Sequence, residues 1–452
     1  MTAKDVSLSS RSLSLDRQSL TQALVERNIL IIQDLDGVCM GLVKDPLTRE
    51  METRYIEAVE SLGDRFFVLT NGEHIGQRGV NGIIERAFGD DRLVKEKGLY
   101  LQGLAGGGVQ WQDRYGIVEH PGVSDAEMAF LEAVPLRMAD YIKKLCQQPK
   151  YGLNEAQVEE YIKATVLDNK VSPTANTNVF HEVFSDRPEL YADFQQEMKA
   201  LTENLLQEAR QKGLTDSFFV HLAPNLGRDE GGIEIMQPAG NGDSGTTDFQ
   251  FMLRGAIKEV GVLVILNRYY YLQTGQYPLG RDFNAREAPS KQQDLLKLVR
   301  DNFDPRIMPT IVGVGDTVTS KAVENGDCAL KDTASHKASR RHRFEFKRGG
   351  SDRGFLELVQ ALGKEFNTDN VVIYVDSSGG ELKNRQALKL DRSNPQEIKV
   401  LQGPGDGDTE DPLTLNFVFP GGHLEYIDFF CRLAESRRES RGDSLFAPTG
   451  IE

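Results

Sequence analysis

Short, largely apolar runs bounded by polar turns recur towards both ends of the chain. "ILIIQ" (29–33), "FFVL" (66–69), "TIVGVG" (310–315), "VVIYV" (371–375) and "NFVF" (416–419) show little alternation of apolar and polar positions. That is the pattern of strands in a sheet covered on both faces. After the first run, "REMETRYIEAVESL" (49–62) sets Met51, Tyr55, Ile56 and Val59 at helical spacing, and "SKQQDLLKLVRDNF", "GFLELVQALGKEF" and "EYIDFFCRLAESR" read the same way. Strand, helix and strand in succession predict βαβ units, and so an α/β core with a doubly wound, mostly parallel sheet.

The pattern changes between Glu73 and Glu287. Long polar helical stretches, "DAEMAFLEAVPLRMADYIKKL" and "RPELYADFQQEMKALTENLLQEARQKG", precede two strands, "SFFVHLAPN" and "GGIEIMQPA". A helix is expected around "TTDFQFMLRGAIKEVG" and an aromatic strand at "VLVILNRYYYLQTG", where Tyr269, Tyr270 and Tyr271 would alternate faces. The glycine-rich "LQGLAGGGVQW" lacks the lysine and hydroxyl of a P-loop and reads as a flexible connection. These signals predict a flexible tail over 1–16, a core of 17–72 and 288–452, and a large mixed α/β cap, 73–287, inserted within it.

Composition narrows the function classes. At 452 residues the chain is too long for one simple core, and 39% hydrophobic with 27% charged residues is ordinary for a soluble globular protein. A net charge of -15 argues against nucleic acid or an anionic membrane as a general partner. No apolar run approaches the roughly 18 residues of a membrane span. The N-terminus lacks an apolar signal core, and Cys39, Cys146, Cys328 and Cys431 are scattered. A cytoplasmic protein is expected.

The candidate chemistry lies at the strand ends. Asp34 and Asp36 follow the first run, Thr70 and Asn71 the second, and Asp316 a later one. Two acids one residue apart also suit a solvated turn. In an open parallel sheet, however, the carboxyl ends of the strands share one rim, so groups distant in sequence converge there. Phosphoryl transfer uses such a set: a carboxylate to attack phosphorus, Mg²⁺ to offset the repulsion between anions, a hydroxyl and a lysine on the phosphoryl oxygens, and a second carboxylate to move protons.

"DLDGV", "LTNG", "SKQQDLLKL" and "VGVGDT" together resemble the four motifs of the haloacid-dehalogenase-like phosphohydrolases. The resemblance implies Asp34 as nucleophile, Asp36 as general acid and base, Thr70 as phosphoryl-binding hydroxyl and Lys291 as the motif lysine, about 25 residues before Asp316. It also implies Mg²⁺ held by the Asp34 side chain, the Asp36 carbonyl and Asp316. Many members carry a second acid four or five residues after the first, where this chain has Ser320 and Lys321. Thr317, Thr319 and Asp327 remain open as water-mediated contacts.

Longer phrases, among them "LIIQDLDGVCMGLV", "FVHLAPNLGRDEGGIEIMQPAG" and "YVDSSGGELKNR", resemble one family of that class, the glucosylglycerol-phosphate phosphatases. This similarity implies 2-O-glucosylglycerol 3-phosphate as substrate, in compatible-solute synthesis and salt tolerance, and the glucosylglycerol-phosphate synthase as a possible protein partner. Asn71, His221, Arg228, Asp229, Ser351 and Asp352 are the candidate sugar readers. Asn225 and Glu230 share the same end of a cap strand, and Ser351 or Asp352 also fits a helix N-cap. His74 reads as a hydrogen-bonded structural residue. The basic run Arg340, Arg341, Arg343, Lys347 and Arg348 reads as a solvated loop, a docking patch for an acidic partner or a guide for an anionic substrate. The alternatives are a phosphatase of another sugar phosphate, a glycosyltransferase using the two aspartates for a metal, or a silent partner of a sugar-phosphate synthase.

Overall fold

The computed structural model describes residues 7–440 apart from 77, 241, 325–343, 383, 395–397 and 406. From α1 (Arg17–Glu26) and β1 (Ile29–Gln33) the chain crosses by α2 (Thr53–Leu62) to β2 (Phe66–Leu69). It continues through α3 (Val80–Phe88), α4 (Asp91–Lys97), β3 (Gly103–Ala105), β4 (Gln110–Gln112) and β5 (Val118–Glu119). A second group follows: α5 (Asp125–Cys146), α6 (Glu155–Thr165), β6 (Val166–Leu167), β7 (Thr174–Asn176), α7 (Asn178–Val183), α8 (Pro188–Gln211), β8 (Phe218–Ala223), β9 (Asn225–Arg228), β10 (Glu234–Met236) and β11 (Asp248–Leu253). The return runs through α9 (Lys258–Thr274), α10 (Gln292–Asn302), β12 (Thr310–Gly315), β13 (Thr319–Glu324), β14 (Phe344–Gly349), α11 (Arg353–Phe366), β15 (Val371–Val375), β16 (Lys389–Asp391), β17 (Lys399–Gln402), β18 (Phe417–Phe419) and α12 (Gly422–Ser440).

The central sheet has eight strands in the order β18-β15-β12-β1-β2-β3-β4-β5. Pairing is parallel from β18 to β3, and only the β3–β4 and β4–β5 pairs are antiparallel. Alternate side chains serve opposite layers. Ile29, Ile31, Phe66, Val68, Val312 and Val314 pack against α1, α2, α3 and α12. Leu30, Ile32, Phe67, Leu69 and Ile311 pack against α9, α10 and α11. The doubly wound core read from the apolar runs is therefore present.

The second group builds a four-stranded antiparallel sheet, β6-β7-β11-β8, above the carboxyl rim of the central sheet. Its apolar face, with Ala175, Phe218, Leu222, Phe249 and Phe251, shares a core with α5 to α8. A capping box between Ser124 and Glu127 starts α5 where the chain enters this layer.

Several expectations need correction. The elements that share the cap's own core run from α5 to β11, a shorter stretch than 73–287. The segment from α3 to β5 belongs to the core and its sheet, and α9 covers the opposite face. "VLVILNRYYYLQTG" lies in α9, a helix, while "DFQFML" within the expected helix is β11. Burial explains the exchange: Val260, Val262, Leu263, Ile265, Leu266, Tyr269 and Tyr270 are covered on several sides of α9, which erases the amphipathic stripe. The glycine-rich stretch is a buried turn between β3 and β4, and a Cβ on Gly107 (φ +67) would stand 2.6 Å from the Ala256 carbonyl. Within the expected tail, residues 7–16 are laid along the core, with Leu8 buried and Leu13 N–H donating to the Leu415 carbonyl at 2.8 Å.

Candidate active site

Asp34 and Asp36 leave the end of β1, Thr70 the end of β2 and Asp316 the end of β12, all beneath the cap sheet. They line one cleft of about 80 Å³ together with Asn71, Asn176, Asp248, Gln250, Lys258, Ser351 and Arg385. Gly37 (φ +77) follows the aspartate pair because a Cβ there would meet Asp316 Oδ2 at 2.2 Å. Glycine thus lets the β1 turn close over the acid of β12.

Lysine is where the sequence reading fails. Lys291 is exposed and precedes α10, whereas Lys258 is fully buried at the start of α9. Its ammonium lies 3.0 Å from Asp34 Oδ1 and 2.7 Å from Asp352 Oδ1. The helix that leads down from the rim directly after the cap is α9, so its first residue reaches the carboxylates. Lys291 begins a later helix on the outer layer.

Asp352 is the second residue that sequence reasoning misplaced. It is completely buried, and its Oδ2 accepts the main-chain N–H groups of Asp316 and Thr317, each at 2.9 Å. Its own N–H donates to the Thr317 carbonyl at 3.1 Å, so Thr317 and Asp352 are neighbours across the base of the β13–β14 hairpin. An acid expected four or five residues after Asp316 is thus supplied beyond an inserted hairpin. Ser320 instead donates to Asp408, Lys321 pairs with Asp243, and Thr319 donates to the Asn225 carbonyl. Asp327 lies outside the described residues.

Burial is the largest influence on Asp34 and raises its pKa well above the usual carboxylate range; the charges of Asp352, Asp316 and Asp36 add to this, and Lys258 opposes it. Burial also raises Asp316, with Arg385 opposing from 3.5 Å. For Asp352 burial works in the same direction, but Lys258 and the two N–H groups outweigh it and hold the carboxyl below its ordinary value. Lys258 is pushed upward, because its two carboxylates overcome the burial that would lower it. Asp36 is partly exposed and faces the Arg49 guanidinium at 3.0 Å.

These carboxylates suit a hard divalent cation. Asp34, Asp316 and Asp352 offer oxygens that all lie within 4.8 Å of one another. Asp352 accepts from three donors, Asp316 accepts from the Thr317 hydroxyl at 2.6 Å with Arg385 at 3.5 Å, and Asp34 Oδ1 meets the Lys258 ammonium at 3.0 Å. The three acids together offer oxygens to a cation, and Asp352 also braces Lys258 and the Asp316 main chain.

Of the candidate sugar readers, Asn71 and Ser351 line the cleft. His221 is held between Asn71 Nδ2 (2.9 Å) and Glu234 (2.9 Å), and lines a neighbouring cavity of about 200 Å³ with Arg228. Asp229 accepts the N–H groups of Gly231 and Ile233 in an exposed turn, away from the cleft. His74 is buried among Gln110, Gln112 and the Gly103 carbonyl, in the structural role read for it. Arg340, Arg341 and Arg343 fall outside the described residues, and Arg348 is paired with Asp408 of the acidic loop. A cavity of about 740 Å³ beside Trp111, His120, Arg268 and Tyr277 is larger than the cleft but contains none of the converged aspartates.

A doubly wound sheet with this rim of aspartates, threonine and lysine beneath an inserted cap defines a haloacid-dehalogenase-like phosphohydrolase. Residues 28–434 match the family model described as glucosylglycerol-phosphate phosphatase. The glucosylglycerol-phosphate phosphatase of Synechocystis sp. (strain PCC 6803) is 52% identical over 427 residues, covering 94% of this chain and 97% of that protein. The chain belongs to the glucosylglycerol-phosphate phosphatase family. Looser structural likenesses, each 11% identical, are the C-terminal domain of Candida albicans trehalose-6-phosphate phosphatase (TM-score 0.42, covering 94% of this chain and 98% of that one) and Aspergillus fumigatus trehalose-6-phosphate phosphatase (TM-score 0.36, 94% and 99%).

Proposed function

We propose that the protein is a Mg²⁺-dependent phosphatase that hydrolyses 2-O-glucosylglycerol 3-phosphate to glucosylglycerol and phosphate in the cytoplasm. The observation that carries this reading is the buried Asp34 carboxylate, held by Lys258 among Asp36, Thr70 and Asp316, in a chain 52% identical to a glucosylglycerol-phosphate phosphatase. An Asp34 oxygen attacks phosphorus, the bond from phosphorus to the sugar-side oxygen breaks, and Asp36 protonates the departing alkoxide. Water then attacks the aspartyl phosphate, gives its proton to Asp36 and restores Asp34.

The Thr70 hydroxyl, the Asn71 amide and the Lys258 ammonium hold the phosphoryl oxygens, and Arg49 keeps Asp36 at the mouth of the cleft. Asp34, Asp316 and the Asp36 carbonyl would hold Mg²⁺, which supplies the positive charge needed to keep the buried Asp34 ionised beside an anionic substrate. Phosphate release should cease in EDTA and return when Mg²⁺ is added. A panel of sugar phosphates assayed with and without Mg²⁺ tests the substrate: glucosylglycerol phosphate should be turned over fastest. Hydrolysis of other sugar phosphates but not this one contradicts the assignment.

A further inference from the structure

The cap sheet has two dissimilar faces. Its outer face is the aromatic core shared with α5 to α8, and its inner face meets the rim of the central sheet. Strand register orders that inner face into two rows: Leu167, Thr174, Gln250 and His221 lie side by side, and Asn176, Asp248 and Ala223 form the next row. All but His221 line the cleft that contains Asp34.

Their hydrogen bonds are uneven. Thr174 donates to the Ser172 carbonyl at 2.7 Å, and Asn176 Nδ2 donates to Asp248 Oδ1 at 2.6 Å. Gln250 is only 9% exposed, yet its Oε1 has no donor. An acceptor on a cleft wall without a protein partner takes its donor from water or from a ligand. Aliphatic and aryl groups have none to offer, whereas vicinal hydroxyls provide donors and acceptors at the spacing of a carboxamide.

Resting on the proposed phosphatase reading, we infer that Gln250 and the Asn176–Asp248 pair are the hydroxyl-reading floor of the cap, determining preference for a polyhydroxylated leaving group. Asp34, Thr70 and Lys258 occupy the phosphoryl end, and in-line attack directs the departing oxygen away from Asp34, towards the cap. Gln250 Oε1 accepts from one sugar hydroxyl, and the Asp248 carboxylate accepts from another. Gln250 is the register partner of His221, one of the readers the sequence suggested, whereas Arg228 and Asp229 lie beyond this floor.

Gln250→Met keeps side-chain length and removes the amide; Asp248→Asn is an independent, nearly isosteric second variant. Each is assayed on glucosylglycerol phosphate and on p-nitrophenyl phosphate, whose leaving group has no sugar hydroxyls, with thermal midpoints checked against the parent. For each variant KM for the sugar phosphate should rise about tenfold or more, and kcat/KM should fall at least about fivefold further on the sugar phosphate than on p-nitrophenyl phosphate. Equal losses on both substrates, or no change on either, overturn the inference. If the parent hydrolyses a different sugar phosphate instead, the substrate assignment fails, and the floor is judged by the same ratio with that sugar. A parent with no preference for any sugar phosphate over p-nitrophenyl phosphate overturns both.

Discussion

The Lys258 ammonium stands between two buried carboxylates, and without it Asp34 and Asp352 would face each other with little solvent to screen them. Lys258→Met should lower kcat at least about a hundredfold, the scale of losing one preorganised charge donor. Lys291→Ala should stay within about twofold of the parent, since that residue is exposed and outside the cleft. Steady-state phosphate release by the two variants checks both outcomes, and the reverse ranking would return the role to Lys291. Asp34, Asp36, Thr70 and Asp316 were legible in the sequence because each sits at or just beyond the polar end of an apolar run. Lys258 was not, because its role depends on which helix starts at the rim. Asp352 was hidden differently: the β13–β14 hairpin separates it in sequence from the N–H groups that its side chain accepts.

At the scale of elements, patterning identified those whose burial follows their own period and missed those whose burial does not. α2 buries Tyr55, Ile56, Val59 and Leu62 on one face and was read correctly; α9 is covered around much of its circumference and was read as a strand. The glycine-rich stretch through β3 and β4 was taken for a flexible connection because its glycines suggest freedom, whereas there they permit close packing. His74 packs against this stretch, and burial lowers its pKa to about 4 from an ordinary 6.5. The unfolded chain therefore binds more protons between those values, and the contribution of His74 to stability is lost as pH falls from about 6.5 towards 4. At pH 5 this loss is roughly 2 kcal/mol relative to neutral pH. Urea unfolding at pH 7 and pH 5 should show a smaller pH effect in His74→Gln than in the parent; identical pH dependence would contradict a buried, neutral imidazole.

For the whole molecule, the relation between cap and core sets how substrate enters. The cleft of about 80 Å³ shares Asn71, Lys258 and Ser351 with the neighbouring cavity of about 200 Å³, so the seat of the cap over the rim governs the space open to a sugar phosphate. Several contacts fix the cap there. The buried Glu73 carboxylate accepts the N–H groups of Lys170, Val171 and Ser172 at 2.8, 2.6 and 2.9 Å, and Asn71 meets His221. The hairpin adds Thr319 to Asn225 and Lys321 to Asp243. In this position the cap sheet covers the cleft and brings its polar floor over the rim. Among the described residues no helix is long and apolar enough to cross a membrane.

The chemistry at Asp34 can be read on the protein itself by quenching turnover of 2-O-glucosylglycerol 3-phosphate with acid in the presence of Mg²⁺ and mapping the phosphoryl group by mass spectrometry. It should be found on Asp34, and both the modification and phosphate release should be lost in Asp34→Asn. A phosphoryl group on another residue, or undiminished release by Asp34→Asn, would contradict the account.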